Sequence, residues 1–154
     1  MVHVLTDQVY FGDWQAPFEC LSQVKTIINV AHDFSLRRGR RIYWQKLQEL
    51  NHEVLYVRLA RKDRVDVDEK YYQCFKSIVL AAEAMGKMPI LTHCQLGGHR
   101  GPSAAIMAAF ILSGEKREVF ESVHKWALEF VPKLAPGNKY YQSTLRICAA
   151  HFTN

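Results

Sequence analysis

The stretch Pro89–Ile106, PILTHCQLGGHRGPSAAI, limits the possible folds of this 154-residue chain more than any other segment. Its apolar start reads as a buried strand that ends at His93-Cys94. Gly97 and Gly98 follow, then Arg100, then an apolar helix with Pro102 in its first turn, where proline is tolerated. A loop that enters a helix this way points successive backbone N–H groups inward, and the helix N-terminus adds positive potential. The glycines allow the backbone conformations that a tight loop needs. Arg100 adds a planar fork that grips two oxygens of one anion. Cys94 then lies at the floor of an anion nest built from Gln95, Leu96, Gly97, Gly98, His99 and Arg100, where the dipoles favour the nucleophilic thiolate.

The rest of the chain supplies a frame for that unit. Val2–Leu5 and Val9–Phe11 read as strands around a Thr-Asp turn, and Thr26–Ala31, Val54–Leu59 and Pro89–Thr92 as further buried strands. Tyr43, Leu47 and Leu50 have helical spacing. So do Tyr71, Cys74, Phe75, Ile78, Val79 and Ala82, with Asp66 or Asp68 as cap and Gly86 as stop. Helices are expected from Pro102 to Leu112, from Glu115 to Phe130 with Val119, Val123, Trp126 and Phe130 on one stripe, and from Asn138 to Ala150. Pro132 to Gly137 reads as a turn. Strands alternating with helices give an α/β class. The expected architecture is a mainly parallel twisted sheet of about four to five strands with helices on both sides, in one domain spanning 1–154.

Composition removes several classes. With 49% hydrophobic and 12% aromatic residues the chain is not a disordered one, and four cysteines in 154 residues do not make a disulfide miniprotein. Its longest apolar run, Ala104 to Leu112, is far short of the ~20 residues of a spanning helix. The start MVHVLTDQVYFGDW lacks the basic region of a signal peptide. A cytoplasmic setting with reduced thiols and no membrane partner is therefore expected. Twenty Lys and Arg against fifteen Asp and Glu, a net charge of +5, suit an anionic partner.

His93-Cys94, five residues and Arg100 resemble the HC-x5-R signature of the cysteine-based protein phosphatases, and HCQLGGHRGPSA resembles its small dual-specificity branch. VYFGDW at 9–14, TIINVAHDF at 26–34, VLYVRLARKD at 54–63 and LAPGNKYYQSTL at 134–145 extend the likeness over most of the chain. The resemblance implies hydrolysis of phosphomonoesters on protein Tyr, and on Ser/Thr in a dual-specificity enzyme. Cys94 would be the nucleophile, Arg100 and the loop would bind phosphate, and a mobile-loop aspartate would serve as acid and base, with no metal or cofactor. Asp63 follows the Val54–Leu59 strand where the family places its acid. Asp66 ranks second, and Asp68 is assigned to the helix cap. His93 has a supporting role, holding the loop. The family carries Ser or Thr directly after the arginine, where this chain has Gly101; Ser103, two positions on, is the substitute hydroxyl.

Other features have plainer readings. Arg37, Arg38, Arg40 and Arg41 fit an exposed loop better than a nucleic-acid site, and also suit an anionic phosphosubstrate. Trp14, Tyr43 and Trp44 belong to the core or to a pocket wall. Cys20, Cys74 and Cys148 are expected in the core, any of them a possible disulfide partner for an oxidised Cys94. Two rival functions remain: a phosphoinositide or RNA 5′-phosphatase on the same loop, and a slow or non-catalytic phosphosite-binding module. The chain is taken as a monomer.

Overall fold

The computed structural model describes residues 1–31, 45–49, 53–59, 66–94, 100–131 and 138–153. Five strands form one sheet: β1 (Val2–Thr6), β2 (Val9–Gly12), β3 (Thr26–Asn29), β4 (Leu55–Arg58) and β5 (Ile90–His93). Their spatial order is β1-β2-β5-β3-β4. The β1–β2 hairpin is antiparallel, and every other pairing is parallel. The central strands TIIN and ILTH are buried on both faces, as interior parallel strands must be, and their β-branched residues suit the extended backbone. The expected sheet is therefore present, with the hairpin strand β1 as its antiparallel edge.

Helices cover both faces unequally. One face carries α2 (Glu69–Ala84), α3 (Arg100–Leu112), α4 (Arg117–Phe130) and α5 (Lys139–Ala150), packed around Val9, Phe11, Ile28 and Ile90. The other face is covered by α1 (Ala16–Glu19), whose Ala16 packs with Cys20, Val24, Ile27 and Leu91. The short helical segment 45–49 also belongs to that side: Lys46 lies over the Phe18 ring, and Leu47 is buried. Helix α3 is the centre of the fold, with every residue from Gly101 to Ile111 buried. Among the described residues, no helix is long and apolar enough to cross a membrane.

Local sequence explains most of the boundaries. Asp68 caps α2, its carboxylate accepting from Tyr71 N at 2.8 Å, so Asp68 and not Asp66 is the cap. Gly86 ends the helix at φ +67, a conformation that favours glycine. Asn138 caps α5 through Tyr141 N. Helix α3 starts at Arg100, ahead of Pro102. The proline still lies in the first turn, where its missing N–H has no intrahelical partner to lose.

Two expectations fail. Cys74 is exposed on α2, which instead buries Tyr71, Tyr72, Phe75, Val79 and Ala82. In α4 the buried stripe is Phe120, Val123 and Ala127, while Trp126 is 52% and Phe130 39% exposed. The stripe is rotated because α4 packs on the small-residue surface of α3 and on the hairpin edge, where Phe130 meets His3. Cys20 and Cys148 are buried as expected.

Candidate active site

The register aligns the ends of four parallel strands. Gly12 pairs with His93, His93 with Asn29, and Asn29 with Arg58. Backbone bonds continue one residue beyond this line: Cys94 N donates to Gly12 O at 3.3 Å, Val30 N to His93 O at 2.9 Å, and Leu59 N to Asn29 O at 2.9 Å. Segments leaving the carboxyl ends of parallel strands form the crevice where open α/β sheets bind ligands. Cys94 stands at the end of the middle strand.

Successive strand residues face opposite sides. Thr92 and Cys94 therefore face the α3 side, and His93 faces the α1 side. Thr92 Oγ1 donates to Gly101 O at 2.8 Å, which ties the first turn of α3 to β5. A Cβ on Gly101 would lie 3.0 Å from Gly12 O and 3.4 Å from both Cys94 N and Cys94 Sγ. The first turn of α3 is thus pressed against the cysteine, and the positive end of a 13-residue helix abuts a buried sulfur. Gly12 is more tightly confined, since its Cβ would meet Met1 O at 2.2 Å and Ala16 Cβ at 2.5 Å. The Asp13 carboxylate next to it receives Gln15 N and Ala16 N, which fixes the turn from β2 into α1.

His93 is fully buried. Burial pushes its imidazole pKa down to about 4, and the contact with Cys94 O and the charge of Asp13 oppose this only in part. The ring is neutral near pH 7 and too weakly basic to take a proton there. Ser103 is also buried, two positions beyond Gly101 on α3.

The remaining candidates divide by position. Arg100 is half-buried in the first turn of α3, six residues after Cys94. Gln95, Leu96, Gly97, Gly98, His99 and Asp63 lie outside the described residues, as do Tyr43, Trp44 and the arginines at 37, 38, 40 and 41. Asp66 is exposed and pairs with Arg146 at 3.6 Å. It borders a groove with Val67, Asp68, Ser143, Arg146 and Ile147, a set that includes neither Cys94 nor Arg100. Trp14 is partly exposed beyond β2.

Sequence periodicity gave no sign of a polar cluster on the α2–α5 seam beside the site. Tyr71 Oη donates to Leu59 O at 3.1 Å and lies 2.7 Å from Tyr140 Oη. Burial holds the Tyr140 phenol well above its usual pKa of 10, followed by the charge and hydrogen bond of Tyr71. Arg100 opposes this rise, more weakly than burial and Tyr71 drive it. On β3, Asn29 donates to Tyr56 Oη at 2.8 Å and accepts from Ala31 N at 2.8 Å, which anchors the chain leaving that strand.

No protein-family model matches the chain, and no curated protein does. Solved structures match along nearly its whole length. Tk-PTP in its active form superposes with a TM-score of 0.62 at 15% identity over 97% of this chain and 94% of its own. Human DUSP28 gives 0.64 at 16% identity, over 97% and 93%. The core catalytic domain of the PP-IP phosphatase SIW14 from S. cerevisiae gives 0.62 at 12% identity, over 97% and 84%. The chain has the fold of the small cysteine-based phosphatases, and at these identities the likeness is one of fold.

Proposed function

We propose that the protein is a cysteine-dependent phosphomonoester hydrolase of the tyrosine or dual-specificity type. The observation that carries this reading is the buried Cys94 sulfur beneath the N-terminal turn of α3, with Arg100 in that same turn. A sulfur, a helix N-terminus and a guanidinium gathered at one strand end suit a tetrahedral dianion.

In the proposed reaction the Cys94 thiolate attacks phosphorus in line, and the bond from phosphorus to the leaving oxygen breaks. Asp63, protonated, gives its proton to that oxygen. The loop amides of 95–99 and Arg100 take the charge on the phosphoryl oxygens. A water molecule then attacks the phosphocysteine, gives its proton to the Asp63 carboxylate and releases inorganic phosphate with the thiolate restored. Splitting one displacement into two needs no metal. The substrate class proposed is a phosphorylated protein, with phosphotyrosine first and phosphoserine or phosphothreonine in a dual-specificity enzyme.

Turnover of p-nitrophenyl phosphate by wild type and Cys94→Ser tests the reading: activity confined to wild type supports it, and equal activity overturns it. A panel of phosphopeptides, inositol phosphates and triphosphorylated RNA then assigns the substrate class. Gly101, which puts no hydroxyl directly after Arg100 to help the sulfur leave, favours a second reading, a phosphosite-binding module with slow release. Phosphocysteine that accumulates without phosphate release would mark it.

A further inference from the structure

We propose that Thr92 is a positioning residue that clasps the first turn of α3 onto Cys94, an inference that rests on the function proposed above. Cys94 follows the last residue of β5 and Arg100 opens α3. The clasp crosses between those two ends. Thr92 Oγ1 donates to Gly101 O at 2.8 Å, and Gly101 directly follows Arg100. Thr92 is fully buried, and so are its register partners Phe11 on β2 and Ile28 on β3. In that apolar setting a hydroxyl bond is costly to leave unmade. Valine would serve the shape of the position, since it has the same branched outline and lacks only the hydroxyl. Gly101 O lies inside a helix, whose geometry already gives it an amide partner four residues on. The Thr92 bond is therefore an addition to α3, and what it adds is a tie to the strand that carries Cys94.

That tie sets a distance on which the chemistry depends. The turn lies so close that a Cβ on Gly101 would stand 3.4 Å from Cys94 Sγ. Cys94 is fixed from the strand side by its own N–H, which donates to Gly12 O at 3.3 Å. Sulfur and helix turn are thus held against each other, and Arg100 moves with the turn. The field of a helix end falls off within one turn, and a 1 Å misplacement costs up to ~100-fold in rate. A second buried threonine gives the contrast. Thr26 begins β3 at the opposite end of the sheet, and its Oγ1 donates to Lys87 O at 2.7 Å. The bond is of the same kind, but it ties β3 to the segment between α2 and β5, away from Cys94 and Arg100.

The test compares Thr92→Val, Thr92→Ser and Thr26→Val with wild type in two measurements. One is turnover of p-nitrophenyl phosphate. The other is alkylation of Cys94 by iodoacetate and by iodoacetamide, followed by mass spectrometry of its peptide. In both reagents the sulfur bonds to carbon and iodide leaves, but only iodoacetate carries an anion for the helix turn and Arg100 to attract. Thr92→Val should lower kcat/KM about tenfold and the iodoacetate-to-iodoacetamide rate ratio about threefold. Thr92→Ser keeps the hydroxyl and loses the methyl, and should restore most of both. Thr26→Val should leave both at wild-type values. Thr92→Ala, which lacks the same hydroxyl and adds no bulk, takes the place of Thr92→Val if that variant does not fold. No change in Thr92→Val, equal losses in Thr26→Val, a Thr92→Ser as impaired as Thr92→Val, or lost turnover with an unchanged ratio overturns the proposal. An active Cys94→Ser overturns the phosphatase reading; the alkylation ratio, which needs no turnover, then decides the clasp by itself.

Discussion

At its N-terminal end α3 presses against Cys94 and carries Arg100; about 20 Å away, at 1.5 Å per residue, its other end turns into Glu115. The two ends hold opposite kinds of polar chemistry. Glu115 accepts from Tyr72 Oη at 2.8 Å and Lys76 Nζ at 2.7 Å, and His151 stands between it and Glu69. His151 also stacks on Tyr72 at 4.4 Å. This carboxylate sits at the negative end of a helix, at φ +63, so it is held there by its partners against both the dipole and its own backbone. Each group at that end answers another group of the protein. The groups at the N-terminal end are a thiol, a guanidinium and helix amides, and together they suit an anion from outside. One helix thus separates a closed structural network from the proposed phosphate site.

Substitutions at the two ends should therefore act on different quantities. The largest effect is expected for Cys94→Ser, which should remove phosphatase turnover and leave thermal unfolding close to wild type. Arg100→Lys keeps the charge and loses the fork, so kcat/KM should fall about 10²–10³-fold, measured by steady-state kinetics. Glu115→Gln should do the reverse, costing about 1–3 kcal/mol in urea unfolding with kcat unchanged. A loss of activity without a loss of stability there would break the comparison.

The Glu115 network also has a pH signature. Burial opposes the charge, but the Lys76 and Tyr72 hydrogen bonds outweigh it, and the carboxyl pKa falls below its usual 4.5. Its stabilisation is present above pH 4.5 and is lost as pH falls through the lower folded value. Glu115→Gln should therefore flatten the acid side of a plot of stability against pH. Smaller effects follow from packing. Gly101→Ser must place its Cβ 3.0 Å from Gly12 O, and a cost of about 1–3 kcal/mol is expected in thermal unfolding. Trp126→Ala on exposed α4 should cost far less than Phe120→Ala, for which about 3–5 kcal/mol is expected.

What the sequence made legible was local. The strands TIIN and ILTH, the caps Asp68 and Asn138, the stop at Gly86 and the order Cys94–loop–Arg100 each depend on neighbouring residues, and each is read from a short window. The α4 stripe departs from the sequence spacing because Trp126 and Phe130 are as apolar as Phe120, and only the shape of α3 decides which face it takes. Cys74 differs in the same way: it stands one position from Phe75, and packing buries Phe75 and leaves Cys74 exposed. The Glu115 network and the Leu59–Tyr71–Tyr140 chain join residues from distant elements, and no periodicity announces them. The Cys94–loop–Arg100 motif was legible and the hydrogen-bonded contacts between distant elements were not, because the first is a local pattern and the second a product of packing.

The central claim is that the sulfur under α3 becomes covalently bound to phosphorus. Wild-type protein mixed with p-nitrophenyl phosphate, acid-quenched within one turnover and mapped by mass spectrometry should carry a phosphoryl group on the peptide that contains Cys94. Turnover with that peptide unmodified, or with the phosphoryl group on another residue, would contradict the account.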